Sequence, residues 1–296
     1  MTKSSEVDAS SAEAAEGRGL FYPGGRTGVL LIHGLSGTPV EMRFIANGLA
    51  REGYTVSCPQ LAGHCETLEQ LRASTWQDWY GSTEQALLQL SERCDQVFVA
   101  GLSMGGLLSL RLAALHPDKV KGAMVYAPTL WLDGWGVPLY AKLFSLVRQK
   151  WAADLMHFTE RPPYGIKDHR LRALIAEALH SGDPSKAGFF SIPGGPMIEL
   201  RWLVDDLRKR LADVKQPVLL LHPREDDRAS LRNSTYLQKH LGGRVETIVL
   251  EDSYHVVTLD KQRDVVLQKS VSFVQALLAQ MPAVEPATAR RGIAAA

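Results

Sequence analysis

The sequence predicts an α/β fold: a mostly parallel central sheet flanked by helices, with a helical cap inserted into it. Three observations carry this. Short apolar runs recur along the chain and alternate with stretches of helical periodicity, the pattern of a sheet wound by crossover helices. Several of the runs are apolar at every position, as strands covered on both faces must be. One long segment, from about Thr129 to Val214, breaks the alternation and is far longer than a usual strand–helix connection.

Taken in order, Val29 to Ile32, closed by His33-Gly34, is the first buried strand. Thr38-Pro39-Val40-Glu41 follows with two helix-start signals: the capping-box spacing of Thr38 and Glu41, and a proline at the first helical position. Met42, Ile45, Ala46 and Leu49 continue at helical spacing, and Gly53 ends that helix. Tyr54 to Cys58 is the next strand, and Trp76 to Leu90 is a helix with Trp76, Trp79, Tyr80, Leu87 and Leu90 broadly on one side. Val97 to Ala100 is a strand, Gly106 to Leu115 a helix stopped by His116-Pro117, and Val120 to Ala127 a strand ended by Pro128. Pro217 to His222 and Val245 to Leu250 are two more strands, and Thr258 to Gln280 is a closing amphipathic helix.

The interrupting segment shows helical patterns and no clear buried strand. It is rich in aromatics: Trp131, Trp135, Tyr140, Phe144, Trp151, Phe158, Tyr164, Phe189, Phe190 and Trp202. Most of these are expected to pack a small core of the cap. Trp131 and Trp135, with Met197 and Ser36, are candidates to line an apolar substrate pocket. The expected organisation is a disordered tail over 1–19, a core formed by 20–128 and 215–282, a cap over 129–214, and a second tail over 283–296.

Composition narrows the function classes. The chain has 296 residues, 45% hydrophobic and 22% charged, with a formal net charge of +1. No charge excess points to nucleic acid or to an acidic membrane surface. No apolar run reaches membrane-spanning length, and the start lacks the basic-then-apolar order of a secretory signal. Cys58, Cys65 and Cys94 have no C-x-x-C spacing and read as reduced thiols, so a cytoplasmic location is expected. No histidine–carboxylate cluster has metal-ligand spacing, and neither metal nor cofactor is expected. Nothing in the sequence sets the oligomeric state.

The chemistry lies in three loops. Gly101-Leu102-Ser103-Met104-Gly105 sits between a strand and a helix. A serine at the apex of such a turn projects its oxygen above the sheet, with glycines giving room for the strained backbone. A serine hydroxyl needs a base, usually a histidine held by a carboxylate, and for an elbow serine these follow in the order acid, histidine. Strand Val218 to Leu221 runs into His222-Pro223-Arg224-Glu225-Asp226-Asp227, which makes Asp226 the first choice of acid and Asp227 the reserve. His255 is the only histidine after the last strand and is the expected base; His116, His169, His180 and His240 have ordinary helix-end or exposed contexts. Two backbone N–H groups must face the developing oxyanion. Met104, after the nucleophile, supplies one, and Leu35 in His33-Gly34-Leu35-Ser36-Gly37 supplies the other.

With these residues the chain resembles the α/β-hydrolase superfamily, and within it the bacterial carboxylesterases and monoacylglycerol lipases of the serine-aminopeptidase-like group. The resemblance runs from about Gly28 to Gln280 and rests on Leu31 to Pro39, Gly101 to Gly106, Arg224 to Asp227, and Ser253 to Asp260. It implies Ser103 as nucleophile, Asp226 as acid, His255 as base, and Leu35 with Met104 as oxyanion donors. It implies cleavage of small-molecule carboxylic esters; short to medium acyl chains are expected, with monoacylglycerol-like esters among the candidates, but the family's acyl and alcohol preferences do not carry over. Two departures stand out. Gly63-His64-Cys65 replaces the family's frequent Gly-His-Gly, and the cap is longer than a minimal lid. Thioesterase, amidase, peptidase, acyltransferase or carbon–carbon bond hydrolase chemistry on the same triad, and ligand binding without turnover, remain open at this point. A dehalogenase is disfavoured because it would want a carboxylate where Ser103 stands.

Overall fold

The computed structural model describes residues 19–138 and 144–281. The two expected tails (Gly19 apart) and the cap aromatic Tyr140 lie outside the described residues.

The core is a seven-stranded sheet. In chain order its first elements are β1 (Leu20–Tyr22), β2 (Thr27–Ile32), α1 (Arg43–Arg51), β3 (Thr55–Cys58), α2 (Leu68–Ala73), α3 (Trp76–Arg93), β4 (Gln96–Leu102), α4 (Met104–Leu115) and β5 (Val120–Tyr126). The interrupting segment holds α5 (Lys150–Ala153), β6 (His157–Thr159), α6 (His169–His180), α7 (Pro184–Ala187), β7 (Ser191–Pro193) and α8 (Gly194–Arg208). The chain closes with β8 (Val218–Pro223), α9 (Arg232–His240), β9 (Val245–Leu250) and α10 (Arg263–Leu278).

Across the sheet the order is β1-β3-β2-β4-β5-β8-β9. Every pairing is parallel except β1 with β3, an antiparallel edge that the sequence pattern did not reveal. Side chains alternate across each strand, and here both sides are apolar. Leu30 and Ile32 face one layer with α3, α4 and α8, and Val29 and Leu31 face the other with α1 and α10. β4 lies at the centre with three strands on each side, so the residue after it is placed mid-sheet at the carboxyl edge.

Two expectations need correction. The closing helix begins at Arg263, not Thr258. Residues 256–262 form turns because the Asp260 carboxylate accepts three backbone N–H groups, from Tyr254 at 2.7 Å and from Lys167 and Asp168 at 2.9 Å. The segment over 129–214 is not wholly helical: β6 and β7 pair as an antiparallel two-stranded sheet. Its last helix, α8, packs Leu200, Leu203, Val204 and Leu207 into the same apolar layer as α3 and α4.

Thr38 caps its helix start as expected, accepting Val40 N–H at 3.1 Å. The reciprocal half of the capping box is absent. The Glu41 carboxylate turns instead to Gly34 N–H in the loop after β2.

Candidate active site

Five loops at the carboxyl edge of the sheet converge on one cavity of about 170 Å³. Ser103 follows β4, His255 follows β9, Asp227 and Arg228 follow β8, Leu35 and Ser36 follow β2, and Thr129 follows β5; all of them line it. The segment over 129–214 roofs it with Leu132, Phe158, Ile192, Met197 and Leu200 among others.

The turn at Ser103 is held open by strain that its neighbours enforce. Ser103 has φ 55° and ψ −116°, a left-handed backbone seldom adopted by a residue with a side chain. Its N–H donates to Tyr126 O at 2.8 Å, and its carbonyl accepts Gly106 N–H at 3.1 Å. Glycine is required at two positions because backbones touch there. A Cβ on Gly101 would lie 2.2 Å from Gly105 C, and one on Gly105 would lie 2.2 Å from Ile32 O. This contact sets α4 directly against β2 and β4, with Met104 at the first helical position. The N–H groups of a first turn have no partner inside the helix, so Met104 N–H is available at the apex beside Ser103.

His255 and Asp226 meet behind the cavity. His255 Nδ1–H donates to Asp226 at 2.9 Å (Oδ2) and 3.0 Å (Oδ1), and both side chains are buried. Asp226 Oδ1 also accepts Arg228 N–H at 2.8 Å and Ala229 N–H at 2.9 Å. Burial works to raise the Asp226 carboxyl, but the charge and hydrogen bond of His255, with His222 and Ala229 N–H, outweigh it and hold the carboxyl below its usual range. His222 lies behind the acid. Its Nδ1 pairs with Ser234 Oγ at 2.8 Å and its Nε2 with Ala229 O at 2.7 Å, and burial keeps its pKa below that of a free imidazole.

Asp227, the reserve acid, has a different task. Its carboxylate accepts Gly165 N–H at 3.1 Å and His255 N–H at 3.3 Å, and its carbonyl accepts Gly136 N–H at 2.9 Å. It ties three loops together and leaves the His255 ring to Asp226.

Of the pocket candidates, Ser36 and Met197 line the cavity. Among the described residues Trp131 and Trp135 do not, and this corrects the expectation. Trp131 is 37% exposed and packs edge-on against Tyr236. Trp135 is 61% exposed, its Nε1–H donating to Glu225 O at 3.0 Å and its ring lying against Tyr254. Residue types alone give a loop aromatic no orientation, and here the smaller Leu132, Val137 and Pro138 of the same segment face the cavity.

Other residues of the site carried no sequence signal. The Ser103 hydroxyl is hydrogen-bonded to Thr129 Oγ1 at 2.9 Å. Arg228 reaches Glu160 of the 129–214 segment with both terminal nitrogens, at 3.0 and 2.6 Å, and this pair forms part of the cavity wall. The His64 ring of Gly63-His64-Cys65 is wholly buried beside His33 and Trp79, away from the cavity lining.

Residues 25–262 match the model of the family described as serine aminopeptidase, S33. The chain is 31% identical over 255 residues to a thermostable monoacylglycerol lipase of Bacillus sp. (strain H-257), covering 86% of this chain and 92% of that protein. It is 25% identical to a carboxylesterase of Bacillus subtilis (strain 168), covering 86% and 95%. A solved structure described under LipS and LipT, two metagenome-derived lipolytic enzymes, superposes with a TM-score of 0.73 at 31% identity over 87% of this chain and 97% of that one. The monoacylglycerol lipase of Paleococcus ferrophilus shares the fold, with a TM-score of 0.68 at 18% identity over 88% of this chain and 97% of that one. No helix among the described residues is long and apolar enough to cross a membrane. A parallel sheet with a strained serine at its centre, a buried histidine–aspartate pair beside it and a family match over most of its length together place the chain: it belongs to the serine aminopeptidase S33 family of α/β-hydrolases.

Proposed function

We propose that the protein hydrolyses small carboxylic esters by acyl transfer through Ser103. One observation carries the reading: Ser103 and His255 line a single largely apolar cavity, and His255 is hydrogen-bonded through Nδ1 to the buried Asp226. The Nδ1–H tautomer leaves Nε2 with a lone pair, which is what a general base needs. Ser103 Oγ leaves Thr129 by a change of χ1 rotamer, gives its proton to His255 Nε2 and attacks the ester carbonyl. Leu35 N–H and Met104 N–H hold the oxyanion. His255 returns the proton to the leaving alcohol, and water repeats the sequence on the acyl-enzyme.

Cavity size supports a short to medium acyl group. An apolar cavity of about 150 Å³ holds a six-carbon ring, and this one measures about 170 Å³. The relatives named a monoacylglycerol lipase and a carboxylesterase support an ester, and the ester linkage of a monoacylglycerol is a candidate substrate. We also infer a cytoplasmic location, supported by three buried cysteines without redox-motif spacing.

The test is hydrolysis of p-nitrophenyl esters from acetyl to palmitoyl, with Ser103→Ala alongside. Cleavage peaking at four to eight carbons, on the order of the group that such a cavity holds, and lost in the folded variant is the expected result. Wild-type rates in Ser103→Ala would refute the nucleophile.

A further inference from the structure

The loop from His33 to Thr38 carries Leu35 N–H, one of the two donors in the proposed oxyanion site, and the following inference rests on that reading. Groups set back from Leu35 fix the loop's shape. Gly37 N–H donates to Gly34 O at 3.2 Å and closes the turn. His33 Nδ1–H donates to the same carbonyl at 2.9 Å, while its Nε2 accepts Leu61 N–H at 3.2 Å, which sets the tautomer. Burial lowers His33 to about 3 and keeps it neutral. On the outer side the cap holds the loop, with Phe189 N–H donating to Ser36 O at 3.1 Å.

The inner side is held by one carboxylate. Glu41 Oε1 accepts Gly34 N–H. The fit leaves no slack: a Cβ on Gly37 would lie 2.4 Å from Glu41 Oε2, and one on Gly34 would lie 3.3 Å from Oε1. Burial raises the Glu41 carboxyl to about 7 despite the Gly34 N–H and the nearby Arg228 and titratable His255, and Glu160 acts in the same direction as burial. In a trans peptide the C=O and N–H point in opposite directions. With Gly34 O fixed by two donors, Leu35 N–H of the same peptide is fixed on the opposite side. With Gly34 N–H fixed by Glu41, the preceding peptide cannot turn and carry the first one with it.

We propose that Glu41 is a positioning residue for the oxyanion site: its carboxylate anchors Gly34 N–H and so holds Leu35 N–H in the direction that the transition state requires. Glu41 stands back from the reacting atoms and acts through the loop. A donor fixed before reaction avoids reorganisation at the moment charge develops, so loss of the anchor should raise the barrier and leave ground-state binding nearly unchanged.

The experiment compares wild type with Glu41→Met, which has similar length and no acceptor oxygen, and Glu41→Gln, which keeps a neutral one. The readouts are kcat and KM on the best nitrophenyl ester, and the inhibition constant of a trifluoromethyl ketone of the same acyl chain. That ketone adds to the serine and places an oxyanion in the site. Wild-type cleavage is measured first; its absence would overturn the proposed function itself. In an active enzyme, Glu41→Met should lower kcat about 10- to 100-fold, somewhat less than outright removal of a donor, with KM within about threefold. The ketone should weaken by the same factor as kcat/KM. All variants are assayed above about pH 8, where Glu41, raised to about 7, is ionised; there Glu41→Gln should lose about three- to tenfold, because a neutral acceptor bonds more weakly than a carboxylate. A Glu41→Met enzyme with a lower unfolding midpoint but wild-type kcat and ketone affinity would overturn the positioning role alone. If Glu41→Met does not fold, Glu41→Gln decides: parallel losses in kcat and ketone affinity support the role, and wild-type values for both overturn it.

Discussion

Asp226→Asn separates the chemistry of the acid from its part in the fold. Asp226 Oδ1 accepts two backbone N–H groups, Arg228 at 2.8 Å and Ala229 at 2.9 Å. An asparagine must keep its oxygen there, since its NH₂ would otherwise face two donors. The NH₂ is then forced into the Oδ2 position, 2.9 Å from His255 Nδ1. A donor at that place lies closer to Nδ1 than the oxygen kept at 3.0 Å, so it favours a bare Nδ1, shifts the proton to Nε2 and removes the lone pair that should take the Ser103 proton. A triad histidine locked in the wrong tautomer loses about 10⁴-fold in kcat, or roughly 5 kcal/mol of barrier. Stability should fall by much less, about 1–2 kcal/mol, because both backbone donors remain satisfied. Asp226→Ala strands both donors and should cost about 2–6 kcal/mol of stability at about 1–3 each, with a similar loss of activity. The assay is kcat/KM on a nitrophenyl ester beside urea unfolding of the same preparations. Asp227→Asn is the control. Its carboxylate serves backbone N–H groups of Gly165 and His255, and less than about tenfold should be lost by the size of one such bond. An Asp226→Asn enzyme with more than a tenth of wild-type kcat/KM would refute the tautomer argument, and a larger loss in Asp227→Asn would transfer the acid's role to that residue.

Two further outcomes follow from the same geometry. Burial lowers His33 to about 3 and His64 to about 4, so the unfolded chain takes up protons below its ordinary histidine pKa that the folded protein refuses, and stability is lost as pH falls. Glu41, raised to about 7, acts the other way: the folded protein keeps its proton between about 4.5 and 7, and stability falls as pH rises through that window. The two histidines outweigh the one carboxyl by roughly 2 kcal/mol between pH 6.5 and 4.5, and the lowered His222 and Asp226 act in the same direction as the histidines; equal urea midpoints at the two values would contradict this. Gly105→Ala should shift α4 away from β2, since its Cβ would lie 2.2 Å from Ile32 O and 2.6 Å from His33 O. About 3 kcal/mol of destabilisation is expected from such overpacking, with activity falling as Met104 N–H moves, and a thermal midpoint within 2 °C of wild type would refute it.

The strands that hold the site were legible because burial on both faces makes a parallel strand apolar at each position, as at Val29 to Ile32 and Val218 to Leu221. β1 was not legible: three half-buried residues at an edge carry too little pattern. β6 and β7 were hidden for the same reason, being three residues each.

The sequence by itself determined the order of chemical parts and the places where the chain must turn. A glycine-flanked serine between strand and helix, an acidic cluster after one late strand and a lone histidine after the next are local facts, set by backbone strain and by strand ends. Only the tertiary structure decided which of two adjacent aspartates faces His255. Neighbours in sequence point different ways: Asp226 meets the His255 ring, while Asp227 takes backbone N–H groups of Gly165 and His255. It also decided that Trp131 and Trp135 pack outside the cavity, against Tyr236 and Tyr254. Glu41, spaced to cap its own helix, was taken up by Gly34 across a turn. A polar side chain bonds the donor that folding brings nearest and leaves dry, and that donor is a property of packing that residue spacing does not encode.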